Sequence, residues 1–185
     1  MKNKTNLYIA EAGIIAALYF AMTWVSNIAG LAFGQIQFRL SEILCILPVF
    51  TPAAIPGLTI GCLLSNFLSP MGWIDWVVGT SATLLASLTA YLLRKVKIFK
   101  LPVLSSFMPV LFNGVFVGAE ISYFFPAGTR FAGFWASFLW VGLGEVVMCM
   151  LGGLILYAAL ERSNFSDVLK GNKRNAAKVN TSKKQ

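Results

Sequence analysis

Four long apolar runs dominate the chain: Leu7 to Asn27, Trp73 to Leu93, Leu101 to Phe125 and Ala132 to Leu160. Each reaches the roughly 20 residues that a helix needs to cross the hydrocarbon core of a bilayer. Between the first two, Ser41 to Leu68 is equally apolar but carries Pro48, Pro52 and Pro56. Prolines at four-residue spacing would each delete a backbone bond that lipid cannot replace, which argues against a single regular span. The stretch reads instead as a hairpin of two short helices turning near Thr51 to Ala54. Its first arm, Ser41 to Phe50, covers only about 15 Å as α-helix, so it either extends back toward Gln35 or does not cross fully. The pattern predicts an all-α integral membrane protein, a bundle of six transmembrane helices over residues 1–162, with helices 2 and 3 forming the short Pro-rich hairpin. Residues 163–185 are polar and basic, and a disordered cytoplasmic tail is expected there.

Composition sharpens this picture. Hydrophobic residues make up 57% and charged residues 12%, against about 45–50% and 25% in a soluble domain. Histidine is absent, which removes His-based acid–base work, His metal sites and a Ser-His-Asp triad. Cys45, Cys62 and Cys149 lie far apart inside apolar runs, and without CxxC spacing neither a zinc site nor a redox pair is indicated. No P-loop is present, so ATP hydrolysis by that route is excluded. With no nucleophile–base pair visible, an enzyme is the least favoured reading. The net charge is +8, and its basic residues, Arg39 and Arg130 apart, sit in three blocks: Lys2 and Lys4, Arg94 to Lys100, and Arg162 to Lys184. These blocks flank the apolar runs, so they suit orientation in a cell membrane rather than nucleic-acid binding. Six helices with both termini cytoplasmic leave only Arg39 and Arg130 outside. Five helices with the N-terminus outside satisfy the charges nearly as well, and the prolines favour six. The first run lacks a small-residue cleavage site and is expected to stay in the mature protein.

Ionisable groups at membrane depth are costly and are functional suspects. Arg39 and Glu42 start the second predicted helix, and Asn66 lies near the outer end of the third. Asp75 begins the fourth between Trp73 and Trp76. Asn113 and Glu120 share a face of the fifth, and Glu145 lies deeper on the sixth after Gly142 and Gly144. On the six-helix topology Arg39, Glu42, Asn66, Asp75, Glu120 and Glu145 converge on one outward cavity. Structural alternatives stand beside this: an Arg39–Glu42 salt bridge, Asp75 as a helix-start charge, and an Asn113 or Glu120 hydrogen bond between helices. Trp73, Trp76, Tyr123 and Trp135 fit an interfacial belt, although a planar ligand would use such rings as walls. Glu11 lies near the inner interface and is set aside. On the first helix, the alanines at Ala12, Ala16, Ala17 and Ala21 include pairs four apart. Such small residues serve packing within the bundle or docking of a separate membrane subunit.

The run QFRLSEILCILPVFTPAAIPGLTIGCLLSNFL, with DWVVGTSATLLA and VGLGE after it, resembles the QueT family. These are substrate-binding S components of energy-coupling factor (ECF) transporters, associated with a queuosine precursor. The resemblance implies a six-helix S component that captures preQ1 or a related 7-deazapurine from outside. It would dock, through small-residue faces of the first helix that carry the AxxxA-like pattern of Ala12, Ala16, Ala17 and Ala21, onto a transmembrane scaffold (T) subunit. Two cytosolic ATPases (A and A′) would hydrolyse ATP, with no cofactor in this chain. Arg39, Glu42, Asn66, Asp75 and Glu145 carry over as site residues, joined by Trp73, Asn113 and Glu120 from the reading of polar and aromatic positions. A flat ring with a guanine-type donor edge and a cationic amine suits carboxylates, an amide or guanidinium, and an aromatic wall. The alternatives are an S component for another vitamin, riboflavin- or thiamine-like, or a solitary ion-coupled carrier using Glu120 and Glu145. A structural subunit without a ligand is the third.

Overall fold

A computed structural model describes residues 2–33 and 37–163. The described chain forms α1 (Lys2–Ile28), a 3-10 helix (Leu40–Val49), α2 (Ala54–Asn66), α3 (Trp73–Leu92), α4 (Val103–Tyr123), α5 (Arg130–Glu145) and α6 (Gly153–Arg162). A π-helical turn, Val146–Gly152, joins α5 to α6, so Ala127–Arg162 is one uninterrupted helical stretch of 36 residues. Three helices, Thr5–Ile28, Val103–Tyr123 and Ala127–Arg162, are long and apolar enough to cross a membrane. Leu40–Val49 and Ala54–Asn66 are apolar but shorter. The outward faces expose Ile14, Leu18, Leu139 and Ile155, as helices do when their solvent is hydrocarbon. This is the architecture of a multi-pass membrane protein. The expected basic tail after Ser163 lies outside the described residues.

The Pro-rich segment folds as two short arms, with its turn between Val49 and Ala54. Its first arm is a 3-10 helix with Pro48 inside it, not an α-helix. At roughly 2 Å per residue the tighter winding carries this arm about 20 Å, further than α-helix would. With three residues per turn, Glu42, Cys45 and Pro48 stack on one edge. Ser41, Glu42, Leu44, Cys45, Ile46, Leu47 and Pro48 are all buried. The arm runs through the middle of the molecule, against α1, α3, α6 and the π turn. The second arm, α2, packs mainly on α1 and α3 rather than on its hairpin partner.

Small residues set how closely α2 approaches α1. A Cβ on Gly57 would lie 2.8 Å from the Ala12 carbonyl oxygen, and one on Gly61 would lie 2.7 Å from Tyr19 Cβ. This contact gives two of the four alanines the packing role inside the bundle. Ala12 and Ala16 are buried, with their carbonyls turned to these glycines, so they are closed to a partner. Ala17 and Ala21 are exposed on another side of α1, in line with Gly13. The four positions therefore belong to two faces, one internal and one free.

Candidate functional site

Gly72, at φ +65°, turns the chain into α3 and leaves Asp75 in the first turn of that helix, where the helix dipole favours a carboxylate. Across from it, Arg39 precedes the 3-10 helix and is almost fully buried. Its Nε donates to the Ala32 carbonyl at 2.9 Å, and one terminal nitrogen donates to Asn66 Oδ1 at 3.2 Å. The other terminal nitrogen lies 3.6 Å from Asp75 Oδ2. The guanidinium carbon also sits 4.6 Å from the Phe33 ring centre. Asn66 Nδ2 completes the set by donating to the Asp75 backbone carbonyl at 3.0 Å. Gly79 makes room for this arrangement. A Cβ there would stand 2.6 Å from Asp75 Oδ1 and 2.8 Å from Asn66 Nδ2. Arg39 thus pairs with Asp75 across elements, not with Glu42 three residues on.

A second buried network lies along the 3-10 helix. The Tyr19 hydroxyl donates to Glu42 Oε1, and Cys45 Sγ donates to Glu42 Oε2 at 3.0 Å. The π turn carries Cys149 into the same place. Its thiol lies 3.0 Å from Glu145 Oε2 and 3.3 Å from the Glu42 carbonyl oxygen. Asn113 Nδ2 donates to Glu145 Oε1 at 2.7 Å. Both oxygens of Glu42 and both of Glu145 therefore face donors from the protein. Among the described residues, Glu42, Cys45 and Cys149 form the donor set that could hold a metal ion, with ligand atoms within 4.8 Å of one another. The missing CxxC spacing did not keep Cys45 and Cys149 apart, because the fold joins them across the chain.

A cavity of about 340 Å³ opens at one end of the bundle, within the usual range for small-molecule sites. Phe33 and Gln37 come from the segment before the 3-10 helix, and Ser69, Pro70 and Met71 from the α2–α3 turn. Val117, Glu120 and Ile121 come from α4, with Phe124 and Phe125 just beyond it and Asp75 opposite. Of the residues singled out in the sequence, only Asp75 and Glu120 line this cavity. Glu120 is 5% exposed, and neither of its carboxylate oxygens accepts a hydrogen bond. Asp75 Oδ1 is likewise buried and unmet. Each such group costs roughly 1–3 kcal/mol unless a donor reaches it. The cavity is therefore lined by two carboxylate residues that hold three unmet oxygens between them, alongside phenylalanine walls.

The other candidates sit elsewhere. Arg39 and Asn66 stand behind Asp75 and fix it, while Glu42, Asn113 and Glu145 belong to the second network. Trp73 is 69% exposed and does not line the cavity, and Trp76 packs edge-on against Phe67 with ring centres 4.5 Å apart. Sequence reasoning missed Tyr19, Gly79 and the walls Phe33, Phe124 and Phe125. A tyrosine at helix mid-length on the Ala12–Ile15–Ala16 face was the available signal for Tyr19. Aromatic residues common throughout the chain gave none for the walls.

Comparison with known proteins places these features in a lineage. The family model described as QueT transporter matches residues 9–162. The queuosine precursor transporter QueT of Lactococcus lactis subsp. cremoris (strain MG1363) is 40% identical over 84 residues, or 45% of this chain and 49% of that protein. The chain thus spans about half the length of the curated relative it matches. No solved structure matches it. With a family match running from the first turns of α1 to the end of α6, the chain belongs to the QueT transporter family.

Proposed function

We propose that this chain is the substrate-binding S component of an ECF-type importer, and that its cavity takes a queuosine precursor of the 7-deazaguanine type. One observation carries the reading: Asp75 and Glu120, which hold three unmet carboxylate oxygens between them, line an aromatic-walled cavity. Such a site wants a flat ligand rich in N–H donors. Asp75 is balanced by Arg39, whereas Glu120 has no cation beside it among the described ion pairs, so an ionised Glu120 would give the cavity one net negative charge. A ligand with a single ammonium group offsets it. In preQ1 the aminomethyl group would meet Glu120, the guanine-type edge would donate to Asp75 Oδ1, and Phe33 or Phe124 would cover the ring. The nitrile of preQ0 supplies no cation, so preQ1 is the better fit. The relative's printed name, queuosine precursor transporter, supports the same cargo class.

The cavity lies at the end of the bundle away from Arg94 to Lys100 and Arg162. By the positive-inside rule that end faces outward, which suits capture for uptake. The chain lacks a P-loop, so the energy for import would come from a T subunit and its two ATPases, with ATP consumed there. Of the alanine positions, Ala17 and Ala21 with Gly13 remain free to meet such a scaffold.

Calorimetric titration of the purified chain in detergent with preQ1, preQ0, queuine, guanine and riboflavin tests the assignment. PreQ1 is expected to bind tightest, and Glu120→Gln is expected to weaken it about tenfold or more, the worth of a hydrogen bond to a charged group. Binding of riboflavin alone would move the chain to another vitamin. Uptake by the isolated chain in vesicles under a pH step would make it a solitary carrier. Absence of deazapurine binding by folded protein would overturn the cargo.

A further inference from the structure

A second cavity, of about 390 Å³, lies at the other end of the bundle. It is built where α3 runs out into the α3–α4 connection, beside the ends of the 3-10 helix and α6. Arg94, Lys95 and Lys97 line it, with Tyr91, Tyr157 and Glu161. The cations are held in different ways. Arg94 stacks on the Tyr91 ring with its guanidinium carbon 3.7 Å from the ring centre, and donates to the Tyr91 carbonyl at 2.8 Å. Lys97 Nζ donates to the Tyr157 hydroxyl at 2.7 Å and stands 3.6 Å from Glu161. The Tyr157 hydroxyl also holds the Lys97 ammonium above its usual range, so this group stays charged at any physiological pH. Among the described residues Arg94 and Lys95 form no ion pair with a carboxylate. Three cations against Glu161 leave the cavity with a surplus of positive charge.

Next to this cavity the connection makes a tight turn closed by the Ile98–Leu101 backbone pair, at 2.9 and 3.0 Å. At its tip Phe99 and Lys100 take positive φ, 51° and 67°, a conformation that side chains other than glycine rarely adopt. The turn thrusts Phe99 out, 94% exposed, with Leu92, Val96 and Ile98 also exposed around it. An apolar tip beside a pocket of cations, at the end of membrane-crossing helices, matches the boundary between acyl chains and headgroups.

We propose that the Arg94–Lys95–Lys97 cavity binds the phosphate of an anionic phospholipid headgroup, with Phe99 and its apolar neighbours resting against the acyl chains. Arg94 presents a flat fork to the phosphate oxygens, and Lys95 adds a free ammonium. The headgroup would thereby fix the depth of the α3–α4 connection in the bilayer.

Native mass spectrometry of the full-length chain in detergent, titrated with phosphatidylglycerol, phosphatidylcholine or inorganic phosphate, tests this. Phosphatidylglycerol should be retained over phosphatidylcholine. Lys95→Gln, at an exposed position, should weaken phosphatidylglycerol about fivefold, and Arg94→Gln with Lys95→Gln about 25-fold, at the usual worth of one interfacial cation. Phe99→Ser should weaken both lipids alike. Equal retention of the two lipids by wild type, or unchanged phosphatidylglycerol binding in the double variant, would overturn the proposal. Inorganic phosphate that displaces the lipid at equal concentration would overturn it in favour of a free-anion site. None of these residues touches the first cavity, so deazapurine binding should persist in every variant.

Discussion

At the scale of single residues, the two polar networks differ in what they leave open. Asp75 and Glu120 keep carboxylate oxygens without a donor, whereas Glu42 and Glu145 are met by Tyr19, Cys45, Cys149 and Asn113. Two substitutions separate these roles. Gly79→Ala would drive a methyl group into Asp75 Oδ1 and Asn66 Nδ2. Both are side-chain ends that can swing aside, so the fold should survive while the site loses its geometry. Ligand affinity is expected to fall about tenfold or more with little change in melting temperature. Unchanged affinity would mean that Asp75 is not a ligand group. Tyr19→Phe should do the reverse. It leaves Glu42 Oε1 without its donor, at a cost of roughly 1–3 kcal/mol in stability, and spares the cavity. A drop in affinity larger than the drop in stability would bring Glu42 into the binding site.

The elements show which sequence signals carry over into structure. Apolar runs of full length read directly as helices, since in lipid an unbroken hydrogen-bonded backbone is compulsory. The prolines correctly marked Ser41 to Leu68 as two arms, but an apolar composition does not state how a helix is wound. The 3-10 arm and the π turn, which bring Glu42 and Cys149 together, were therefore not legible. Four-residue spacing showed that Ala12 and Ala16 share a face, not which neighbour fills it. That neighbour was itself written as Gly57 and Gly61, again four apart. Polar residues at membrane depth were legible by type, and Asp75 and Glu120 stood among them. Their pairing was not, because Arg39 reaches Asp75 and Asn113 reaches Glu145 across long stretches of chain. Packing gives a sharp comparison here. Gly61→Ala meets the Ala16 carbonyl oxygen at 2.9 Å and Tyr19 Cβ at 2.7 Å, and backbone cannot step aside. Thermal unfolding in detergent should report a loss of about 1–3 kcal/mol. Gly13→Ala meets nothing within 4 Å, so its stability should match or slightly exceed wild type, given the helix preference of alanine. Equal behaviour of the two variants would contradict the α1–α2 contact.

For the whole molecule, the opposed ends of the bundle are chemically unlike, and that difference predicts orientation. One end carries the acceptor-lined cavity, bounded by the α2–α3 and α4–α5 connections. The other carries Arg94, Lys95, Lys97 and Lys100 in the α3–α4 connection, with Arg162 closing α6. Retention of basic loops in the cytoplasm would place the acidic cavity outside, as the proposed capture from outside requires. The three native cysteines are buried, so a thiol placed in an exposed loop can be read against a quiet background. Gly128, before α5, is exposed with nothing within 4 Å of an added Cβ. Phe99 is the exposed tip of the opposite end. In intact cells Gly128→Cys should react with a membrane-impermeant maleimide, and Phe99→Cys should react only after permeabilisation. The reverse pattern would turn the cavity toward the cytoplasm and make capture from outside untenable. Labelling of both in intact cells would place the two loops on one side, which an odd number of crossings between them forbids and an even number requires. The α4 helix, Val103–Tyr123, is the single long apolar segment separating those positions, so one crossing is expected and opposite labelling follows from it.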